Sequence, residues 1–245
     1  MSAIECDVEP VGARVLVRVR GELSMGSSPV VRTTLLKCLV EQPDAVVVDL
    51  SASVVRETAA LSVFLAAARQ AALWPGIPLM LAGPGPELAE MIGQGYGRLA
   101  VFGSVPEALS APVRQQTPTI KDVLLPAPGA ARHARALITE GCLRWELPHL
   151  IGPASVVAGE LVTNAVVHAG TMVDLRLSLG RRYLIVAVRD GSGEVPVLPP
   201  PDGDPEGPAG LRLVAAMAHR WGTLPAHGGK VVWATLPRKR PPEDV

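Results

Sequence analysis

The sequence predicts an α/β protein of two domains, and three observations carry that expectation. The chain has 245 residues, more than one ordinary domain needs and enough for two cores. Its first half alternates apolar runs of strand length with apolar stripes at helical spacing. A polar segment holding two prolines, PVRQQTP at 112–118, fits neither period and marks a seam. The predicted boundaries are a first domain at 1–113, a linker at 114–119 and a second domain at 120–245.

The first domain begins with residues 14–19 (RVLVRV), which alternate apolar and polar ahead of Gly21, and continues with 45–50 (AVVVDL), an apolar run between Pro43 and Ser51. Both predict strands. Between them, 28–40 carries Val31, Leu35, Leu36 and Leu39 at helical spacing with Pro29 in the first turn, which predicts a helix. The pattern recurs over 58–73 with Leu61, Phe64, Leu65 and Ala68, and 77–82 supplies another strand before a further helix. A sheet covered by helices follows.

In the second domain, helices are predicted over 130–146, 154–168 and 210–219. Strands are predicted over 172–178 and 183–189, joined by a turn at Gly180, and over 221–224 and 231–236. Between Val195 and Pro208 lie six prolines and three acids, which exclude a regular element.

Composition bounds the function. The chain is 48% hydrophobic and 19% charged with a formal net charge of zero, so no nucleic-acid partner is implied. The apolar stretch 58–74 is interrupted by Arg69 and Gln70 and falls short of a membrane span. The opening MSAIECDVEP lacks the pattern of a secretory signal, and the cytoplasm is the expected compartment. Cys6, Cys38 and Cys142 are odd in number and far apart, so neither a disulfide framework nor a zinc site is indicated.

The chemistry concentrates in three segments of the second domain. Glu160, Asn164 and His168 recur at steps of four, which places a carboxylate, a carboxamide and an imidazole along one stripe of a helix. A polar stripe among Leu161, Val162, Val166 and Val167 needs a polar partner. Asp190-Gly191-Ser192-Gly193 follows an apolar strand; a carboxylate there can accept from the amine of adenine, and glycines admit a flat base. Guanine presents an oxygen where adenine presents that amine, so the same carboxylate would reject it. Finally, Gly207-Pro208-Ala209-Gly210-Leu211 opens a helix whose free N–H groups can meet phosphate oxygens.

These segments carry a resemblance. ELVTNAVVHAG at 160–170 resembles the N box, VRDGSG at 188–193 the first glycine box and GPAGLRLVAAMAHRWG at 207–222 the second glycine box of GHKL ATPases. GGKVVWATLP at 228–237 is similar to the last strand of the bacterial anti-sigma-factor serine kinases. The resemblance implies a GHKL α/β sandwich with a mixed sheet and helices on one face, binding ATP and magnesium. It implies that Asn164 holds the magnesium, that Glu160 is the catalytic residue positioning or deprotonating the attacking hydroxyl, and that Asp190 reads adenine. His168, Gly191, Gly193, Gly210 and Leu211 complete the implied nucleotide-binding set. Relatives carry Gly-Arg-Gly-Leu where this chain has Pro208-Ala209-Gly210-Leu211, and Pro208 lacks an N–H to give to a phosphate.

Residues 14–110 resemble the STAS domain of anti-sigma-factor antagonists, through VRVRGELS at 17–24, VVVDLS at 46–51 and ETAALSVFLAA at 57–67. That family reads Asp-Ser-Ser-Gly-Leu where this chain has Glu57-Thr58-Ala59-Ala60-Leu61, and its second serine receives phosphate. Ala59 has no hydroxyl, which leaves Thr58 as a degenerate phosphoacceptor or as the cap of the following helix. Together the resemblances imply an ATP-binding regulator of bacterial partner switching. Its activity would be that of a serine/threonine protein kinase and anti-sigma factor, with a STAS antagonist or a sigma factor as partner and homodimerisation left open. The alternative is a catalytically weak or inactive module whose nucleotide sets its affinity for such a partner.

Overall fold

Five segments of the first half pair into one sheet, in the order β1 (Glu5–Val11), β2 (Arg14–Leu23), β3 (Val46–Val55), β4 (Leu79–Ala82) and β5 (Ala100–Phe102). The computed structural model describes residues 4–95, 99–113, 118–197 and 210–239. Residues 114–117 of the predicted linker and residues 198 to 209, Pro208 and Ala209 included, lie outside the described residues. The chain divides into two units, Met1–Gln116 and Thr117–Val245.

In the first unit β1 pairs antiparallel with β2, and the remaining neighbours are parallel. The helices are α1 (Ser28–Val40), α2 (Ser62–Leu73), α3 (Pro86–Gly95) and α4 (Val105–Ser110). Side chains alternate between the two faces of the sheet. Leu16, Val47 and Met80 form one cluster with Ala108 of α4, and the alternate residues Val17, Val48 and Leu81 point the other way, also buried. The last carbonyls of α4 would be left without partners, and the Arg14 guanidinium donates to those of Ala108 and Ala111 at 2.8 and 2.6 Å.

Three elements here escaped the sequence patterns: β1, β5 and the short α4. β1 is a charged edge strand containing Pro10, whose Asp7 and Glu9 accept from Arg20 and Arg18 across the pair. β5 spans three residues. The helix expected over 58–73 starts instead as a 3-10 turn, Thr58–Leu61, before α2. Glu57 occupies the cap position and makes no side-chain cap bond, so Thr58 is the first helical residue and not the cap.

The second unit comprises β6 (Thr119–Leu124), α5 (Ala130–Arg144), α6 (Ile151–His168), β7 (Val173–Leu179), β8 (Tyr183–Asp190), α7 (Gly210–Met217), β9 (Arg220–Ala226) and β10 (Gly229–Pro237). Its sheet runs β6-β7-β8-β10-β9. All four pairings are antiparallel, which corrects the expected mixed sheet; the parallel pairings belong to the first unit. β6 begins at Thr119, so the last residue assigned to the linker is strand. All three helices contribute to one core, through Ile138, Leu161, Val162 and Val214, against Leu175, Val186, Val188 and Val232 of the sheet.

Among the described residues one helical stretch, Pro148–His168, is long and apolar enough to cross a membrane by length and composition. In the fold Val157, Ala158, Leu161, Val162 and Ala165 of that stretch are buried in the second core. The interior of α6 therefore needs its apolar residues for packing, and its remaining stripe is the polar one.

Candidate functional site

Glu160, Asn164 and His168 stand one turn apart on α6 and, with Thr163 and Val167 between them, form one wall of a cleft of about 470 Å³. The helix puts them there because its opposite side is committed to the sheet. The other walls come from residues 194–197 and from Gly210 and Leu211 at the start of α7, and Lys230 of β10 lies within the lining. Of the residues expected to hold a nucleotide, Glu160, Asn164, His168, Gly210 and Leu211 are thus brought together.

Gly210 lies hard against Glu160. A β-carbon at this position would lie 2.5 Å from Glu160 Oε2. The carboxylate of Glu160 therefore rests against the first residue of α7, where the unpaired N–H groups of a helix favour negative charge.

Asp190, Gly191 and Gly193 are placed differently and do not line the cleft. Asp190 is 4% exposed. Its Oδ1 accepts from Lys230 Nζ at 2.9 Å and from the backbone N–H of Ser192 at 2.8 Å, and Lys230 also donates to the Ser192 carbonyl at 3.3 Å. The Gly191 N–H donates to Thr171 Oγ1 at 2.8 Å, and a β-carbon on Gly191 would lie 2.9 Å from Thr171 Cγ2. Position 191 is glycine for the sake of Thr171, whereas a β-carbon on Gly193 would meet nothing within 4 Å.

Lys230 is the residue that sequence reasoning missed. It directly opposes Asp190 across the antiparallel pair of β10 and β8. The signal was one of parity: Lys230 shares a strand face with the buried Val232, Ala234 and Leu236, and a lysine on such a face requires a carboxylate. Gly229 presses this end of the sheet together, because a β-carbon there would lie 1.9 Å from the Asp190 carbonyl.

Outside the cleft, Thr58 is exposed in the first unit, with Oγ1 3.8 Å from the Met91 sulfur, and Ala59 beside it is exposed too. His133 on α5 pairs with Asp122 of β6 at 2.8 Å, and that hydrogen bond, aided by the Val123 N–H, holds the Asp122 carboxyl below the usual carboxylate range. No group of three or more His, Cys, Asp or Glu side chains able to hold a metal occurs among the described residues.

Residues 6–96 match the STAS domain, so the first unit carries that domain. No curated protein matches the chain. Among solved structures, the chain is similar to an anti-sigma factor antagonist from Mycobacterium paratuberculosis, at 23% identity and a TM-score of 0.40, over 46% of this chain and 95% of that one. It is also similar to the anti-sigma factor antagonist SpoIIAA in its unphosphorylated form, at 17% identity and a TM-score of 0.37, over 43% of this chain and 93% of that one. A third similarity is to the RsbU and RsbW domains of Rv1364c from Mycobacterium tuberculosis, at 24% identity and a TM-score of 0.39, over 54% of this chain and 36% of that one.

Proposed function

We propose that this chain is a regulator of the partner-switching kind, whose second unit binds ATP with magnesium and transfers phosphate to a serine or threonine of a separate STAS-type antagonist. The observation that carries the reading is the convergence of Glu160, Asn164 and His168 on one cleft, against the start of α7.

The donor set suits the ligand. The Asn164 carboxamide and the Glu160 carboxylate are hard oxygen donors of the type magnesium prefers, and a cleft of about 470 Å³ falls in the range of small-molecule sites. A magnesium ion there would supply charge neutralisation for phosphate oxygens. Asn164 would hold it, the first N–H groups of α7 would donate to phosphate, and Glu160 would orient and accept the proton of an incoming hydroxyl. His168 and Leu211 would bound the site on either side.

A second reading is favoured by a separate observation: Lys230 already occupies one oxygen of the carboxylate assigned to the base. A site compromised in this way suits a binding module that takes nucleotide weakly and answers by changing its affinity for an antagonist or sigma factor.

Incubation of the full chain with γ-labelled ATP, magnesium and a serine-bearing STAS protein separates the two. Label on the STAS protein supports the kinase; nucleotide binding without label supports the binding module. Absence of nucleotide binding sinks both.

A further inference from the structure

We infer that Lys230 seals Asp190 away from the cleft, so that the site does not read the nucleobase and takes purine and pyrimidine nucleoside triphosphates alike. This rests on the nucleotide reading above and deepens it by naming the ligand class.

Strong selection between two nucleobases needs a polar group of the site that one of them leaves unpaired. The Asp190 carboxylate is the group that would tell an amine from a carbonyl oxygen, and it is not part of the cleft. Its side chain is 1% exposed, and its Oδ1 accepts from Lys230 Nζ at 2.9 Å and from the Ser192 N–H at 2.8 Å. Lys230 opposes Asp190 across the strand pair and does line the cleft, so the lysine stands between the carboxylate and any ligand. The ammonium fills the role that an exocyclic amine would otherwise have.

What the cleft offers a flat ring is apolar. Val167, Val195, Pro196, Val197 and Leu211 line it, and Val167, Val195 and Val197 are 69%, 68% and 79% exposed. Such side chains favour a ring through the apolar area that both lose to water, and every nucleobase has a face to offer them. Apolar contact separates a large ring from a small one weakly and does not recognise an amine. The other polar groups of the lining add no strong selection. Thr163 and Glu194 are exposed and keep water as a partner, so a ring that fails to bond them leaves nothing unpaired. Lys230 has three donors and spends one on Asp190 and one on the Ser192 carbonyl; its remaining N–H selects nothing, because every nucleobase edge carries an acceptor. Binding then rests on the triphosphate and its metal, which all four nucleotides share.

The test is a binding series on the full chain with magnesium and ATP, CTP, GTP or UTP, read by isothermal titration. ATP and CTP carry an exocyclic amine where GTP and UTP carry a carbonyl oxygen, so the series separates the reading of an amine from the size of the ring. The expected result is that all four bind the native protein within about tenfold of one another. Lys230→Ala, checked for folding by circular dichroism, removes both the ammonium and its stem from above the carboxylate and should raise the preference for ATP over GTP by about tenfold or more. Binding of ATP and CTP more than about tenfold tighter than GTP and UTP by the native protein overturns the inference and leaves the ATP site standing, since the carboxylate would then be read. Selection of ATP over the other three by more than that margin also overturns it. An unchanged ratio in a folded Lys230→Ala variant does the same, because Lys230 would not be the seal. If none of the four binds the native protein, the nucleotide reading itself falls.

Discussion

Gly210 and Glu160 approach so closely that a β-carbon at position 210 would lie 2.5 Å from Glu160 Oε2. The atom it would strike is the end of a flexible carboxylate, so Gly210→Ala should move Glu160 without unfolding the domain. Stability measured in urea should change by less than about 1 kcal/mol, whereas label transfer to a STAS protein should fall by about tenfold or more. Full transfer by the alanine variant would show that the placement of Glu160 does not matter.

Glu160 and Asn164 are adjacent on one stripe but are assigned to different work. Asn164→Ala should lose the magnesium dependence of ATP binding. Glu160→Gln should bind ATP within about threefold of the native protein and lose phosphotransfer, since an amide does not accept the hydroxyl proton. If Glu160→Gln abolishes binding in a folded protein, the two roles have been assigned to the wrong residues.

The Lys230–Asp190 ion pair is buried on both sides. Lys230→Met leaves the carboxylate without its partner and should lower unfolding stability by about 3 kcal/mol. Adding Asp190→Asn to that variant should recover part of the loss, because no uncompensated charge then remains. Urea denaturation of the two variants decides; equal stability of native protein and Lys230→Met would mean that the pair carries no structural weight.

Burial pushes the Cys38 and Cys142 thiols up to about 11, and the half-buried Cys6 thiol also rises, from its own desolvation. The thiolate is the reactive form, so an aromatic disulfide reagent at neutral pH should label the native protein slowly and all three cysteines rapidly once urea is added. The sign for stability follows. The folded state holds these protons more tightly than the unfolded one, so stability is intact below about pH 9 and falls as pH rises toward 11. A Cys142→Ala variant should show a shallower decline for the second unit over that window.

The second unit was legible where one face of an element is apolar and the other polar. The stripe on α6 is the clearest case, because Val157, Leu161 and Val162 commit one side to the core and leave Glu160, Asn164 and His168 on the other. Strand direction was not legible. Alternation along β7 and β8 gives which residues face inward, not whether the neighbours run parallel. β1 was missed because its charged residues and Pro10 sit on an exposed edge, where no burial imposes a pattern. At the site, Asp190 was read as a strand-end carboxylate for the adenine amine, and its partner Lys230, 40 residues on, was not foreseen. Nothing local to DGSG announces a lysine.

The register of β10 on β8 decides which group that strand gives to the cleft. Lys230 faces Asp190 because the turn at His227 and Gly228 returns the chain in one particular phase, pairing Gly229 with Ala226 and Lys230 with Pro225. Side chains on a strand alternate with a period of two. A one-residue shift of β10 against β8 would carry the Lys230 ammonium to the far side of the sheet, away from the cleft, and leave Asp190 without its buried partner. The hairpin therefore sets whether the cleft has a cation in its lining, although it belongs to a different element from Glu160 and Asn164.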